Sequence, residues 1–204
     1  MKKMEKSARL PTMEQLFARL RGRTKVNADA LDRSIENQCV RELTIMMCDS
    51  SGFTRRTHDY GILHFLTILT QVYDLFDPII ARHKGSVISR GADNLLAVFS
   101  QPLQGVSAAI DMQKKMERFN AGKNERDQFQ LCMGLHHGKI LRLKDGIFGG
   151  RVNIASKIGE DLASAEEILV TGEVAKLLPS RIKHSYARST ELGGKTFELH
   201  RIKY

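Results

Sequence analysis

The sequence predicts one α+β domain with a ferredoxin-like core, in which the elements follow one another as β-α-β-β-α-β. Two observations lead to this prediction. Strand-like apolar runs and helical i, i+3, i+4 spacing alternate in that order, and two short β-rich runs are joined by a Gly-Ala-Asp turn that is typical of a hairpin. At 204 residues with 42% apolar side chains, the chain can bury the core of one ordinary domain.

Each element has its own pattern. Residues 42–48 (ELTIMMC) indicate a buried strand, and residues 60–83 have the spacing of a long amphipathic helix that Pro78 should interrupt or bend. The elements predicted after them are a hairpin at 85–91 and 94–100, a helix at 103–120, a strand or strand pair at 129–143, a loop at 145–150, a helix from about 152 to 162, a strand at 167–172, and a C-terminal pair around 184–189 and 195–204.

The first 40 residues differ from the rest in being polar and strongly charged. Helical patterns at 11–23, led by a proline, and at 27–35 predict two short helices, so we interpret residues 1–40 as an N-terminal extension and residues 41–204 as the functional domain. The basic cluster Arg19, Arg21, Arg23 and Lys25 favours a solvated helix face over a site for phosphate or lipid.

Composition narrows the classes of function. Thirty-two basic and 23 acidic side chains give a net charge of +9, which suits an anionic partner such as a nucleotide, nucleic acid or lipid surface. The apolar runs fall short of the roughly 20 residues that cross a bilayer, and the N-terminus lacks an apolar signal core, so we expect a cytoplasmic protein without a transmembrane segment. Three cysteines without CxxC spacing indicate reduced structural thiols.

Two aspartates stand where an apolar run meets a turn of small residues. Asp49 ends the first predicted strand, and Asp93 lies in the turn of the hairpin. If these strands are neighbours, the two carboxylates converge at one end of the sheet and repel each other unless a divalent cation lies between them. Aspartate is also a common turn and cap residue, so the pair alone does not decide between a metal site and two capped turns.

The surrounding sequence favours the metal site. Four segments, CDSSGFT at 48–54, HKGSVISRGADNLLAVF at 83–99, MGLHHGKI at 133–140 and IFGGRVNIASKI at 147–158, occur in an order and spacing that resembles the catalytic domain of class III adenylate and guanylate cyclases. The resemblance covers residues 41–204, and four motifs in register are far more specific than one.

The resemblance implies roles for the first two motifs. Asp49 and Asp93 would bind two metal ions, Mg²⁺ or Mn²⁺, together with the main-chain carbonyl of Ser50. The backbone N–H groups from Ser51 through Gly52 and Phe53 to Thr54 would hold the triphosphate at a helix start.

In this family a second subunit, arranged head to tail, completes the site. Asn153 stands where the family has the asparagine that positions the ribose, and Lys157 replaces the arginine that stabilises the transition state. Lysine keeps the charge but lacks the forked donors of arginine, so a contact to the α-phosphate and a solvated helix lysine stay open as alternatives. Lys195 lies where some cyclases place a triphosphate-binding lysine.

The base-reading positions depart further from the family. Ser89 and Gly146 occupy them, and neither the pair common in adenylate cyclases nor the pair common in guanylate cyclases is present, so the choice of base stays open. Asp145 could substitute for Gly146 if the loop shifts. Adjacent strand residues face opposite sides, so His136 and His137 are interpreted as structural and not as a joint metal site.

Three functions follow. The first is a homodimeric nucleotidyl cyclase that converts ATP, with GTP as second choice, to the 3′,5′-cyclic nucleotide. The second is a degenerate cyclase-homology domain that binds nucleotide or a partner cyclase subunit without turnover, and a mixed case is one half of a heterodimer. A nucleic-acid-binding module is ranked far below these, because the strands lack a stacking pair of aromatic residues.

Overall fold

An eight-stranded sheet organises the computed structural model, which describes residues 10–204. Its strands are β1 (Val40–Ser50), β2 (Ser86–Arg90), β3 (Leu95–Phe99), β4 (Leu131–Arg142), β5 (Ile147–Phe148), β6 (Ile168–Thr171), β7 (His184–Leu192) and β8 (Lys195–Ile202). They lie in the order β2-β3-β1-β4-β6-β8-β7, with β5 paired to β4. Strand β1 pairs antiparallel with both β3 and β4. The order β2-β3-β1-β4 is that of a ferredoxin-like core, so the predicted fold class is confirmed.

Helices cover both faces of this sheet. They are α1 (Met13–Arg21), α2 (Ala28–Cys39), α3 (Phe53–Tyr60), α4 (Ile62–Arg82), α5 (Pro102–Asn120), α6 (Gly150–Ser156), which continues as a π-helical segment (Lys157–Leu162), and α7 (Gly172–Lys176). The largest core cluster lies between α4, α5 and the sheet, where α4 buries Phe65, Val72 and Phe76. No helix within residues 10–204 is long and apolar enough to cross a membrane.

The long helix differs from its prediction at Pro78. Helix α4 runs through Pro78 and ends at Arg82, so of the two expected effects, an interruption or a bend, the interruption was wrong. A proline inside a helix costs about 3 kcal/mol or more through a lost hydrogen bond and a ring clash. Here Phe76, Ile79 and Ile80 are buried on either side of Pro78, and their packing on the sheet offsets that cost.

The segment at 129–143, predicted as a strand or a strand pair, contains one strand. Two further differences are local, and the first is that the loop at 145–150 contains the two-residue strand β5. Helix α7 was not predicted, because five residues are too few to show a period.

Two glycines bring α6 against the centre of the sheet. A Cβ on Gly134 of β4 would lie 2.3 Å from the backbone N of Gly159, and a Cβ on Gly159 would lie 2.8 Å from the carbonyl O of Met47. Side chains at these positions would therefore push the π-helical segment away from β1 and β4. This close contact fixes the helix that carries Asn153 and Lys157.

The N-terminal helices pack on the β4–β5 hairpin. Leu16 of α1 and Ile35 of α2 are buried in one cluster with Leu143. The Asp145 carboxylate accepts a hydrogen bond from the Met13 N–H at 2.9 Å, at the start of α1. The division of the chain at residue 40 stays a prediction, but residues 10–39 are joined to the domain by a small core of their own.

Candidate active site

The register of the central strands brings Asp49 and Asp93 together. Cys48 of β1 pairs with Leu95 of β3, so the turn that precedes Leu95 lies beside the end of β1. Asp93 lies in that turn, and the Ser50 hydroxyl donates a hydrogen bond to its carboxylate at 3.4 Å. The structure therefore makes neighbours of two aspartates that are 44 positions apart in the sequence.

Electrostatics at this pair favour a bound cation. Burial, and after it the charge of Asp93, raise the pKa of Asp49 to about 7. Burial also raises the pKa of Asp93. Glu160 and Asp161, from the π-helical segment, add negative charge near Asp49. A divalent cation between the two carboxylates would compensate their partly buried charges and remove the repulsion that contributes to the shift at Asp49.

The donor set fits Mg²⁺ or Mn²⁺. Within residues 10–204 no group of three or more His, Cys, Asp or Glu side chains is arranged to hold a metal. Mg²⁺ that is bound together with a phosphate substrate nevertheless needs only one or two protein carboxylates, because waters and phosphate oxygens supply the other ligands. Asp49 and Asp93 would therefore hold the metal together with a bound polyphosphate.

The start of α3 forms the floor beside these carboxylates. Gly52 has φ of 81°, a left-handed conformation that glycine adopts without strain, and it precedes the first turn of the helix. The Phe53 ring packs edge-on against Phe65 at 4.9 Å, which anchors this turn in the core. The Ser51 N–H donates to the carbonyl of Gln130 at 2.8 Å, so it is already used within the sheet.

This hydrogen bond corrects the sequence interpretation of the loop. We expected the amides from Ser51 to Thr54 to hold the triphosphate, and the Ser51 amide is not available for it. The N–H groups of Phe53 and Thr54, in the first turn of α3, have no intrahelical acceptor by geometry and can still face a phosphate.

A separate cavity of about 840 Å³ contains the other predicted catalytic residues. Asn153 and Lys157 line it together with Lys139, Arg151 and Lys195, and Asp49 and Asp93 do not. The lining also includes Glu191, so four cationic side chains and one carboxylate surround the asparagine. This excess of positive charge suits a polyanionic ligand. The predicted site residues thus lie in two separate groups, which we call the carboxylate half-site (Asp49 and Asp93) and the cationic half-site (the residues that line this cavity).

Lys157 is held at the edge of the cationic half-site. Its ammonium lies 2.7 Å from the Asp161 carboxylate, one turn further along the chain. The hydrogen bond and charge of Asp161 raise the pKa of Lys157, and the pair is largely exposed. A lysine in such a surface pair keeps its charge and can exchange Asp161 for another anion at little cost.

His136 of β4 helps to hold helix α6 on the sheet through a contact with Arg151. The Arg151 guanidinium donates to Nε2 of His136 at 2.9 Å, so the proton of this neutral ring is on Nδ1 and is donated to the Thr171 hydroxyl. Burial, and after it the charge of Arg151, lower the pKa of His136 to about 4. His137 contacts Thr44 on the opposite face, as the alternation of strand residues predicts.

Ser89 and Gly146, the positions expected to read the base, lie in different parts of the sheet. Ser89 is an exposed residue of β2, next to an irregularity in its pairing with β3. Gly146 lies between β4 and β5, where its carbonyl accepts from the Leu143 N–H at 2.8 Å. Asp145, which we considered as a substitute for Gly146, has its carboxylate at the N-terminus of α1.

Sequence reasoning gave little weight to several cavity residues. The sequence alone predicts no role for Lys139 or Arg151, and it indicates one for Lys195 only because the position of that residue resembles that of a triphosphate-binding lysine in some cyclases. Lys195 begins β8 directly after the turn at Gly193 and Gly194, so the β7–β8 hairpin carries it to α6. This contact depends on how a hairpin folds over a helix distant in sequence, and no local pattern reports it.

Comparison with known proteins supplies the deciding observation. Residues 35–203 match the family model described as adenylate and guanylate cyclase catalytic domain. The chain belongs to this cyclase family.

Individual relatives agree with the family. The chain is 22% identical over 177 residues to adenylate cyclase 1 of Rhizobium meliloti (strain 1021), which covers 78% of the chain and 27% of that protein. It is 31% identical over 134 residues to the serine/threonine-protein kinase pkn2 of Myxococcus xanthus, covering 66% of the chain and 16% of that protein. The chain thus spans less than a third of the length of either relative.

The fold matches that of solved cyclase domains. The crystal structure of the adenylyl cyclase CyaB from P. aeruginosa superposes with a TM-score of 0.72 at 20% identity, over 81% of the chain and 95% of that structure. At this identity the match establishes the fold, which is that of the class III cyclase catalytic domain.

Proposed function

We propose that the chain is a nucleotidyl cyclase, which converts ATP, or GTP as second choice, to the 3′,5′-cyclic nucleotide and pyrophosphate. The observation that carries the proposal is the convergence of Asp49 and Asp93, with raised pKa values, in a domain of the cyclase family. We assign catalysis to residues 41–204 and treat residues 1–40 as a helical extension.

The residues of the carboxylate half-site would bind and orient the triphosphate. Two divalent ions, Mg²⁺ or Mn²⁺, would activate the ribose 3′-hydroxyl and stabilise the charge that develops as pyrophosphate leaves. Asp49 and Asp93 would hold these ions, with the Ser50 carbonyl as a further oxygen ligand. The first-turn amides of Phe53 and Thr54 would donate to phosphate oxygens.

The cationic half-site would act on the nucleotide bound by a second copy of the chain. Asn153 would hydrogen-bond the ribose, and Lys157 would exchange Asp161 for the α-phosphate. Lys195 would bind the terminal phosphates. Each chain contains both half-sites once, and Asp49 and Asp93 do not line the cavity of the cationic one, so a head-to-tail homodimer would contain two complete sites.

One observation favours a second candidate. Gly146 has no side chain to read a base, and Asp145 is turned to α1, so base recognition within one chain rests on Ser89 alone among the positions that the resemblance names. A domain that binds nucleotide or a partner cyclase subunit without turnover would have this character. A heterodimer in which the partner supplies the base-reading groups is the mixed case.

The test is product formation from ATP and from GTP, with Mg²⁺ and with Mn²⁺, by the wild type and by Asp49→Ala. We expect cyclic nucleotide from the wild type and a loss of about a hundredfold or more in the variant. The preferred nucleotide would also identify the base. No product with either nucleotide, at protein concentrations that favour dimers, would support the second candidate and contradict the first.

A further inference from the structure

Most of the net charge of the chain lies in its first 25 residues. They contain eight basic and two acidic side chains, so they carry +6 of the total of +9. The cyclase family match begins only at residue 35, so this charge lies outside the region that the proposed catalysis uses. A concentration of charge of this size creates a local field that attracts anionic surfaces.

Helix α1 adds an apolar stripe to this charge. Met13, Phe17 and Leu20 follow an i, i+4, i+7 spacing and therefore share one side of the helix. They are 41%, 48% and 38% exposed, whereas Leu16 is buried against the domain. Exposed apolar residues on a protein surface are usually scattered singly. Here three large ones lie next to one another on two successive turns of the helix.

The helix is well formed without any partner for the stripe. The Thr12 hydroxyl accepts from the Gln15 N–H, and the Gln15 side-chain oxygen accepts from the Thr12 N–H, which completes a capping box at the start of α1. Asp145 accepts from the Met13 N–H, and Leu16 fixes the helix on the β4–β5 hairpin. The domain therefore presents the stripe in a set orientation, and little conformational freedom would be lost on docking.

The basic side chains divide into two groups. Arg19 donates to Gln38 and Ser34, and Arg23 pairs with Asp32, so these two stabilise the α1–α2 pair. Arg21 and Lys25 are exposed, and Arg21 follows Phe17 by four positions, which places it at the border of the stripe. The sequence adds Lys2, Lys3, Lys6 and Arg9 immediately before the helix.

We propose that α1 docks on an anionic lipid surface. Met13, Phe17 and Leu20 would enter the boundary between headgroups and acyl chains, and Arg21 and Lys25 would contact lipid phosphates. An apolar helix face bordered by basic residues is the arrangement that lies in a membrane interface. Binding would be reversible, because the apolar contribution of three side chains is small and the electrostatic one depends on salt.

The charge argues against the other occupants of this surface. A second copy meeting the stripe by twofold symmetry would bring another +6 segment against the first, and like charges would oppose the contact. A nucleic acid would use the charge but leave Met13, Phe17 and Leu20 in water. A lipid surface is the partner that satisfies both features at once.

The test is co-sedimentation of the full chain with vesicles of phosphatidylcholine alone and with vesicles of equal parts phosphatidylcholine and phosphatidylserine. We expect binding only to the anionic vesicles, and a decrease as salt is raised. Phe17→Ser with Leu20→Ser should weaken it roughly tenfold or more. Arg21→Gln with Lys25→Gln should weaken it by a similar factor.

Matched controls separate α1 from the rest of the surface. Leu63→Ser changes an apolar residue that is 77% exposed on α4, and Lys114→Gln with Arg118→Gln removes the same charge from α5. Both should bind vesicles as the wild type does. Equal binding to neutral vesicles, unchanged binding by the Phe17 and Leu20 variant, or equal loss in the α5 control would each overturn the proposal. The proposal would also be overturned if the full chain bound no vesicles and the Phe17 and Leu20 variant lost self-association. The stripe would then be an interface between copies of the chain.

Discussion

The two half-sites of this domain are built in different ways. The carboxylate half-site lies at the ends of central strands, where the pairing of β1 with β3 and β4 sets the positions of Asp49 and Asp93. The cationic half-site lies on α6 and the tip of the β7–β8 hairpin and opens outward into a cavity. The carboxylate half-site is therefore continuous with the core, whereas the cationic half-site is part of the protein surface.

The difference corresponds to what each half-site keeps of the family pattern. The carboxylate half-site retains both aspartates and the Gly-Phe-Thr that follows the first. The cationic half-site has Lys157 where arginine is expected, and the adjoining loop has Gly146. Residues whose position follows from strand register are constrained by the fold of one chain. If the cationic half-site faces another subunit, as we propose, its residues can change with that partner.

The largest effect should come from the carboxylate half-site. Asp93→Ala removes one of the two carboxylates that we propose as metal ligands, so we expect cyclic nucleotide formation to fall about a hundredfold or more. Thermal unfolding of the metal-free variant should be close to that of the wild type, because the substitution relieves repulsion with Asp49. The matched control is Asp29→Ala on exposed α2, which should keep full activity. Equal losses in both variants would contradict the assignment.

A smaller effect is expected at Lys157, where the two half-sites would meet across a dimer. Lys157→Ala should lower kcat by roughly ten- to a hundredfold, and Lys157→Arg should raise kcat above the wild type because its forked donors fit a phosphate. Steady-state kinetics with the preferred nucleotide measures both. If Lys157→Ala behaves as the wild type, Lys157 is a solvated lysine paired with Asp161 and has no catalytic role.

The close contact between Gly134 and Gly159 allows a test of how packing supports the cationic half-site. Gly134→Ala would place a Cβ against the backbone of Gly159, and we expect it to lower the free energy of unfolding by about 1–3 kcal/mol. Activity should fall with it, because the π-helical segment moves away from the sheet. Gly22→Ala, where the nearest atom would lie 3.5 Å away, is the control and should change neither property. An unchanged midpoint in urea for Gly134→Ala would contradict this packing.

The smallest effect is a pH dependence of folding stability that arises from His136, which binds Arg151 of the cationic half-site. Burial lowers the pKa of His136 in the folded chain to about 4, below its ordinary value of 6.5, so the unfolded chain binds the proton first as pH falls. The stability that neutral His136 contributes is present above pH 6.5 and is lost as pH falls toward about 4. His136→Gln should flatten the decrease in melting temperature over this range. An identical pH profile for the two proteins would rule out His136 as its source.

The elements of the fold and the strand-end places of Asp49 and Asp93 could be predicted from local patterns in the sequence. The period of the apolar residues gave the elements, and the turn chemistry around Asp49 and Asp93 gave their places at the strand ends. The approach of the two aspartates depends on strand register, and their role as metal ligands rests on the family resemblance and stays a prediction. The cationic half-site could be predicted only in part. Asn153 and Lys157 lie in a recognisable motif, but the approach of Lys195 to α6 and the turning of Asp145 to α1 depend on packing between segments far apart in the sequence.

The most direct test of the account mixes two inactive chains. Asp49→Ala lacks the carboxylate half-site and Asn153→Ala lacks the cationic one, so a head-to-tail dimer of the two chains contains one intact site. Equal amounts should recover about a quarter of the wild-type activity, since half of the dimers are mixed and half of their sites are intact. A mixture that stays as inactive as each variant, beside an active wild type, would show that the half-sites do not combine across two copies and would contradict the central claim.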